Sequence, residues 1–302
     1  MGVVSRATWA DGIAASKPLP INLGNNGNLG NKIFQYMYCR ELQTLLPNAS
    51  LFALNMPEFR MVSEPAALDG NVLHIRDGHL HDMLALAKTL SQGNYDGMLF
   101  EGYVQRLEYY RDRRACSAYF KSTVDVNKTH LGIGKLTINV RGNEILGNVH
   151  KDYYPIPIAF MEHVVNLTKL EPVIMGQLGN DHYSDEIRRR FSGCVFLPSL
   201  SAAEDFEIVR NSTNILASVS SFSWLASWFS DTAQSIHLPV RGLFNPLQRP
   251  DINLLPTRDG RYRFYGFPIA HWTAAPEQYN DLLAPEADFW PMSAHQARSL
   301  IS

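Results

Sequence analysis

Residues 136–154 read LTINVRGNEILGNVHKDYY, and their charges are bunched at one end. Leu136, Ile138 and Val140 alternate with Thr137 and Asn139 over one strand's length, after which Arg141, Glu144, His150 and Asp152 crowd a polar loop. In an open α/β sheet, ligands bind beyond the carboxyl ends of the strands, so a permanent cation at that edge is a candidate anion site. Arg141 has the fork that holds a phosphate, and Glu144, His150 and Asp152 are the carboxylate or imidazole groups available as bases. A solvated loop is the plain alternative.

Two further stretches have the same character. Gly24-Asn25-Asn26-Gly27-Asn28-Leu29-Gly30-Asn31 is a turn whose small residues let the backbone approach a ligand, ahead of a helix offering unpaired N–H groups. Its spacing is not G-x-G-x-x-G, and the following strand, SLFALN, lacks the acid a ribose would require, which argues against a dinucleotide fingerprint. Asn and Gly simply building a tight turn is the structural alternative. Ser218-Val219-Ser220-Ser221-Phe222-Ser223-Trp224 opens another helix after a strand. One serine suffices as a cap, so a run of them offers hydroxyls to a phosphate or ribose. Glu204 and Asp205 start the preceding helix, where carboxylates favour the dipole. His74, His79, His81 and Asp82 could supply metal ligands, but no fourth ligand is identifiable among the histidines, and a surface cluster at a helix start accounts for them. No Asp-x-Asp pair occurs, so a bound diphosphate would be neutralised by Arg141 with backbone and hydroxyl donors, and no metal site is expected.

These groups need strands ending beneath them. At 302 residues the chain is long enough for two domains sharing a cleft. With 45% hydrophobic and 19% charged residues and a formal charge of −2, it reads as a globular protein without the basic field that nucleic acid would require. Cys39, Cys116 and Cys194 lie far apart with no C-x-x-C, which fits a reducing cytoplasm, with peripheral attachment at an inner membrane as the alternative. Residues 1–17 read as a flexible lead-in. Residues 18–123 form a first domain, with strands at 20–23, 50–54, 71–75 and 97–103 and helices at 32–46, 81–90 and 106–120. Residues 124–135 are a linker. Residues 136–244 form a second domain, with strands at 136–140, 172–175, 195–197, 214–217 and 236–239 separated by helices at 157–170, 184–191, 202–210 and 222–229. That alternation favours a parallel sheet with right-handed crossovers. Residues 245–302 are an extension ending in a helix near 292–300.

With those residues in view, a family resemblance emerges. Gly27-Asn28-Leu29-Gly30-Asn31-Lys32-Ile33-Phe34-Gln35-Tyr36 resembles the GxLGNQxFQYA opening of bacterial α-1,2-fucosyltransferases, and Gly102-Tyr103-Val104-Gln105 resembles their GYFQ segment. SSFSWLASW, at 220–228, is similar to their SSFSWWGAW. The pieces come in the family's order and cover roughly residues 20–240. The resemblance implies an α/β, GT-B-like architecture, two Rossmann-like domains facing across a cleft, with the donor held mainly by the second and neither essential metal nor cofactor. It implies that Arg141 holds the donor phosphates; on the needs of such a transfer the candidate catalytic residues are Arg141, Glu144 and His150, and the candidates for donor binding are Arg141, Asp205, Ser220, Ser221, Ser223, Gly27, Asn28, Gly30 and Asn31. Gln35, Tyr103, Gln105 and Asp152 fall to the acceptor side. Where the family has HxRRGD, this chain has Asn139-Val140-Arg141-Gly142-Asn143-Glu144, so one cationic contact is lost.

The expected activity is inverting, metal-independent transfer of fucose from GDP-fucose to a glycan or lipid-linked oligosaccharide hydroxyl in bacterial surface polysaccharide synthesis. A different sugar nucleotide, or a carbohydrate- or nucleotide-binding protein that kept the fold and lost the chemistry, is the runner-up. A nicotinamide-dependent oxidoreductase is a third reading, suggested only by the alternation and the glycine turns. If the transferase reading holds, the turns at 27–31 and 218–223 should face one another across the cleft.

Overall fold

The structure, a computed structural model, describes residues 17–110 and 112–301. The lead-in read at 1–17 lies outside them except for Lys17, which ion-pairs with Asp96 at 2.6 Å. The chain divides between Tyr119 and Phe120 into two compact units.

In chain order the first unit holds β1 (Leu19–Leu23), α1 (Leu29–Gln43), β2 (Ala49–Phe52), β3 (Asn55–Met56), β4 (Met61–Val62), β5 (Val72–Arg76), α2 (Met83–Ser91), β6 (Gly97–Glu101) and α3 (Arg113–Ser117). Four strands make a parallel sheet in the order β2-β1-β6-β5, with β3 and β4 a separate antiparallel pair among the described residues. Helix α1 buries Ile33, Phe34, Met37, Tyr38 and Leu42, the helical spacing that closes one layer over the sheet. It starts earlier than the expected residue 32, because the Asn28 carbonyl already accepts from the Asn31 and Lys32 amides. Gly30 is therefore in the helix and not in the turn. The helix expected at 106–120 is also corrected. Leu107–Tyr109 is a single 3₁₀ turn, Tyr110 is extended, and α3 starts afresh where the Asp112 side chain accepts from the Ala115 amide at 3.0 Å.

The second unit continues with α4 (Val126–Thr129), β7 (Lys135–Arg141), α5 (Ile158–Thr168), β8 (Glu171–Gln177), α6 (His182–Arg190), β9 (Val195–Phe196), α7 (Ala202–Arg210), β10 (Asn214–Leu216), α8 (Ser221–Phe229), β11 (Ser235–Val240), β12 (Tyr262–Gly266), α9 (Pro276–Leu283), β13 (Trp290–Met292) and α10 (Ala294–Ser299). Its sheet runs β13-β12-β11-β10-β7-β8-β9, parallel throughout except for β13. Numbered within the unit, the parallel strands stand in the order 3-2-1-4-5-6, the doubly wound arrangement whose topological switch point falls between β7 and β10. Residues 245–302 thus add β12 and β13 to this sheet and end in α10.

Strand β7 is central, so its polar positions are buried too: Thr137 donates to Ser212 Oγ at 2.7 Å, and Asn139 is covered. On one face α8 packs Trp224 against Trp228, with ring centroids 5.2 Å apart, and Trp224 donates to the Leu254 carbonyl at 2.7 Å. On the other, Phe160 meets Tyr265, Phe267 and Phe289. Among the described residues no helix is long and apolar enough to cross a membrane.

Candidate functional site

The switch point in the second unit gathers two of the three stretches singled out above. β7 and β10 run side by side, and where they part the Ser218 hydroxyl donates to Asn139 Oδ1 at 2.9 Å. Ser220 has extended backbone and caps α8, its hydroxyl accepting from the Ser223 amide at 3.1 Å, while Ser223 Oγ accepts from the Ser218 amide at 3.1 Å. The turn therefore uses more serines than one cap requires. Ser221 is the exception: it begins α8 and, among the described residues, its hydroxyl has no partner. Of the serines expected to serve a donor, Ser220 and Ser223 hold the backbone, and the Ser221 hydroxyl stands beside the unpaired amides of the helix start.

Arg141 ends β7 and pairs with Glu144 Oε1 at 2.6 Å; its Nε is buried without an acceptor. Glu144 is two-fifths exposed, so the pair contributes little to stability. Gly142 is required here, because a Cβ would stand 2.7 Å from the Gln177 carbonyl oxygen. That close approach accounts for the missing second arginine. Asn143 follows at φ +55, turning the chain into the 3₁₀ stretch that carries Glu144.

The other candidates on this loop differ in availability. His150 is half-exposed, its Nδ1 accepts from the Asp152 amide at 3.2 Å, and its ring packs on Tyr153. Burial lowers its pKa, with Asp152 pulling up and Arg249 pushing down, so it is a neutral imidazole at pH 7. Asp152 is buried and committed: its oxygens take Gln248 at 2.8 Å, His271 at 3.1 Å and Arg249 at 3.0 Å. Burial would raise its pKa, but the Gln248 bond and the Arg249 guanidinium outweigh it and hold the carboxyl below its ordinary range. Asp152 is thus a clamp within the second unit, while Gln35, Tyr103 and Gln105 belong to the first. Asp205, in the first turn of α7, accepts from Ser199 at 2.5 Å, and burial raises its pKa against that bond.

The first unit repeats the pattern at neighbouring β1 and β6. After β1, Gly24 donates to the Phe100 carbonyl at 2.8 Å and Gly27, at φ +78, makes the turn into α1. After β6, Val104 sits at φ +47, uncommon for a β-branched residue, and the Tyr110 hydroxyl donates to its carbonyl at 2.5 Å. Gln105 donates to Asn31 Oδ1 at 2.8 Å, which ties the two sequence stretches together, and its amide donates to His79 Nδ1 at 3.2 Å. His79 stacks on Tyr103. Gln35 is fully buried with both amide atoms unpartnered, and Gln105 Oε1 is unpartnered as well. Asn28 is exposed and its side chain makes no cap bond. The residues assigned to the donor thus fall in both units: Gly27, Asn28, Gly30 and Asn31 here, the remainder in the second. Asp82 caps α2 through the Ala85 amide at 2.9 Å, and among the described residues no group of His, Cys, Asp or Glu could hold a metal ion.

Sequence reasoning passed over Arg241. It follows β11 directly and is buried, with Nε and one Nη lacking any partner. The signal was present, since Val240-Arg241-Gly242 repeats Val140-Arg141-Gly142 at a strand end.

No protein-family profile and no curated protein sequence matches this chain. Among solved structures, it is similar to a variant of FUT1 from Arabidopsis thaliana in complex with GDP, at 11% identity and a TM-score of 0.46 over 74% of this chain and 71% of that one. It is similar also to POFUT1 in complex with GDP-fucose, at 8% identity and a TM-score of 0.41 over 74% of this chain and 98% of that one. For the apo form of POFUT1 the values are 7% and 0.41, over 71% and 95%. Likenesses of this order concern the course of the chain and no individual side chain.

Proposed function

We propose that this chain is a glycosyltransferase that takes a sugar from a nucleotide diphosphate and delivers it, with inversion, to a glycan hydroxyl, GDP-fucose being the first donor to test. The observation that carries the reading is the convergence at the 3-2-1-4-5-6 switch point, where Arg141 ends β7 and α8 opens after neighbouring β10 with an unpartnered Ser221 hydroxyl. In this reading the Arg141 fork exchanges Glu144 for the donor diphosphate, and the α8 amides share its charge. As the sugar–oxygen bond breaks, its electron pair passes to the diphosphate, where these donors stabilise it. His150, neutral at pH 7, receives the proton of the attacking acceptor hydroxyl.

Titration of GDP, UDP and NAD against the melting temperature tests the donor, because a ligand at about 100 times its dissociation constant adds about 2.7 kcal/mol of stability. GDP stabilisation with turnover of a labelled sugar nucleotide supports the reading. Stabilisation without transfer or hydrolysis of any donor leaves a binding protein, and stabilisation by NAD alone overturns it. Turnover is expected to survive EDTA; loss in chelator restored by magnesium or manganese would refute metal independence.

A further inference from the structure

The second Val-Arg-Gly strand end differs from the first in one respect: among the described residues its arginine forms no ion pair, with the Tyr154 side chain bonded to it and the Asp281 charge acting only from a distance. Arg241 is 8% exposed, and its guanidinium lies on the face of Tyr154, with Cζ 3.3 Å from the ring centroid and the Phe267 ring at 5.2 Å. Nε and Nη1 are sealed from solvent without an acceptor, and among the described residues Arg241 forms no ion pair. Other covered arginines are satisfied: Arg190 holds Glu186 at 2.7 Å and Arg249 holds Asp152 at 3.0 Å. A guanidinium has five donors in a fixed fork and keeps its charge at neutral pH, so sealing it away unpaired is costly unless a ligand completes it. Burial lowers its pKa to about 10 against the opposing pull of Tyr154, Asp281 and Tyr183, which still leaves a cation at pH 7. Stacking alone would be served as well by an apolar side chain.

Its place selects the ligand. β11 is the neighbour of β10, and β10 the neighbour of β7, so at a strand spacing of about 4.8 Å the ends carrying Arg141 and Arg241 are roughly 10 Å apart. By the strand register Val240 stands level with Arg141, so Arg241, one residue further on, leaves the sheet edge on the opposite face, and the two arginines lie on either side of the strand that leads into α8. A cation at 142 is barred by the Gln177 carbonyl. We propose that Arg241 is a second diphosphate ligand, its unpaired fork taking the leaving group of the nucleotide donor from the side opposite Arg141. This rests on the transferase reading for the nucleotide, but not for the anion.

The experiment is calorimetric titration of wild type, Arg241→Gln and Arg241→Lys with GDP, inorganic pyrophosphate and guanosine, alongside melting temperatures. Arg241→Gln should weaken GDP and pyrophosphate at least tenfold while guanosine affinity is unchanged, with Arg241→Lys in between. Unchanged GDP and pyrophosphate affinity, or equal loss for GDP and guanosine, would overturn the assignment, the latter marking a structural stack. Should Arg241→Gln fail to fold, Arg241→Lys, which keeps the stem and the charge but not the fork, is read by the same split between pyrophosphate and guanosine. Pyrophosphate binding that depends on Arg241 in a protein that ignores GDP would uphold the anion site and defeat the nucleotide reading. Binding of neither by wild type defeats both.

Discussion

Arg141 ends β7 with a carboxylate beside it. Its partner Glu144 is bonded at 2.6 Å but partly exposed, and exposed ion pairs are worth about 0–1 kcal/mol, whereas a charged hydrogen bond to a phosphate is worth about 1.5–3 kcal/mol. The exchange therefore favours the ligand. Arg141→Ala is expected to raise the GDP dissociation constant about 10- to 150-fold at an unchanged melting temperature, as measured by calorimetry and thermal unfolding. Arg141→Lys should recover little, since an ammonium has no fork. Unchanged affinity in the alanine variant would remove Arg141 from the site.

At the scale of elements, the start of α8 and the loop after β7 make separable predictions. Ser220 is the cap, so Ser220→Ala should lower stability by about 1 kcal/mol, while Ser221→Ala should leave stability unchanged and weaken the nucleotide. A melting-temperature loss in Ser221→Ala without a loss of affinity would reverse the two roles. The loop is held from beyond by C-terminal residues: Trp272 donates to the Ile145 carbonyl at 2.8 Å, Tyr279 to that of Leu146 at 2.6 Å, and Asp152 receives Gln248, His271 and Arg249. Asp152→Ala strands the Arg249 nitrogen that it binds, although Arg249 keeps Asp251 at 2.7 Å. A destabilisation of about 3 kcal/mol is expected by urea unfolding. A near-neutral result would show the clamp to be dispensable.

For the molecule as a whole, His237 gives an acid limb to stability. It is buried on β11, bonded at Nδ1 to the Tyr265 hydroxyl at 2.8 Å, and burial, with Arg263 and His163 adding to it, lowers its pKa to about 4. The unfolded chain binds the proton near pH 6.5 and the folded chain only near pH 4, so stability present above about pH 6.5 is lost as pH falls through that window, by about 3 kcal/mol. His237→Gln should flatten this limb in unfolding curves between pH 7 and 4. An unaltered slope would show that other groups carry it.

Most helices and the strands β1, β2 and β5–β11 were legible because their signals are local, while β3, β4, β12 and β13 were not read: Leu136, Ile138 and Val140 announce β7, and an aromatic face announces α1 whoever their neighbours turn out to be. So were Arg141 and the serine run, as a charge and hydroxyls at strand ends. Three things needed the tertiary structure. Which serine caps α8 depends on backbone angles and on Asn139, 79 positions from Ser218. The break between residues 106 and 120 depends on the Tyr110 hydroxyl reaching the Val104 carbonyl. The order 3-2-1-4-5-6, and with it the burial of Arg241 beneath Tyr154, is chosen by pairings between strands far apart in the chain, whose apolar faces can satisfy one another only once the whole sheet has assembled.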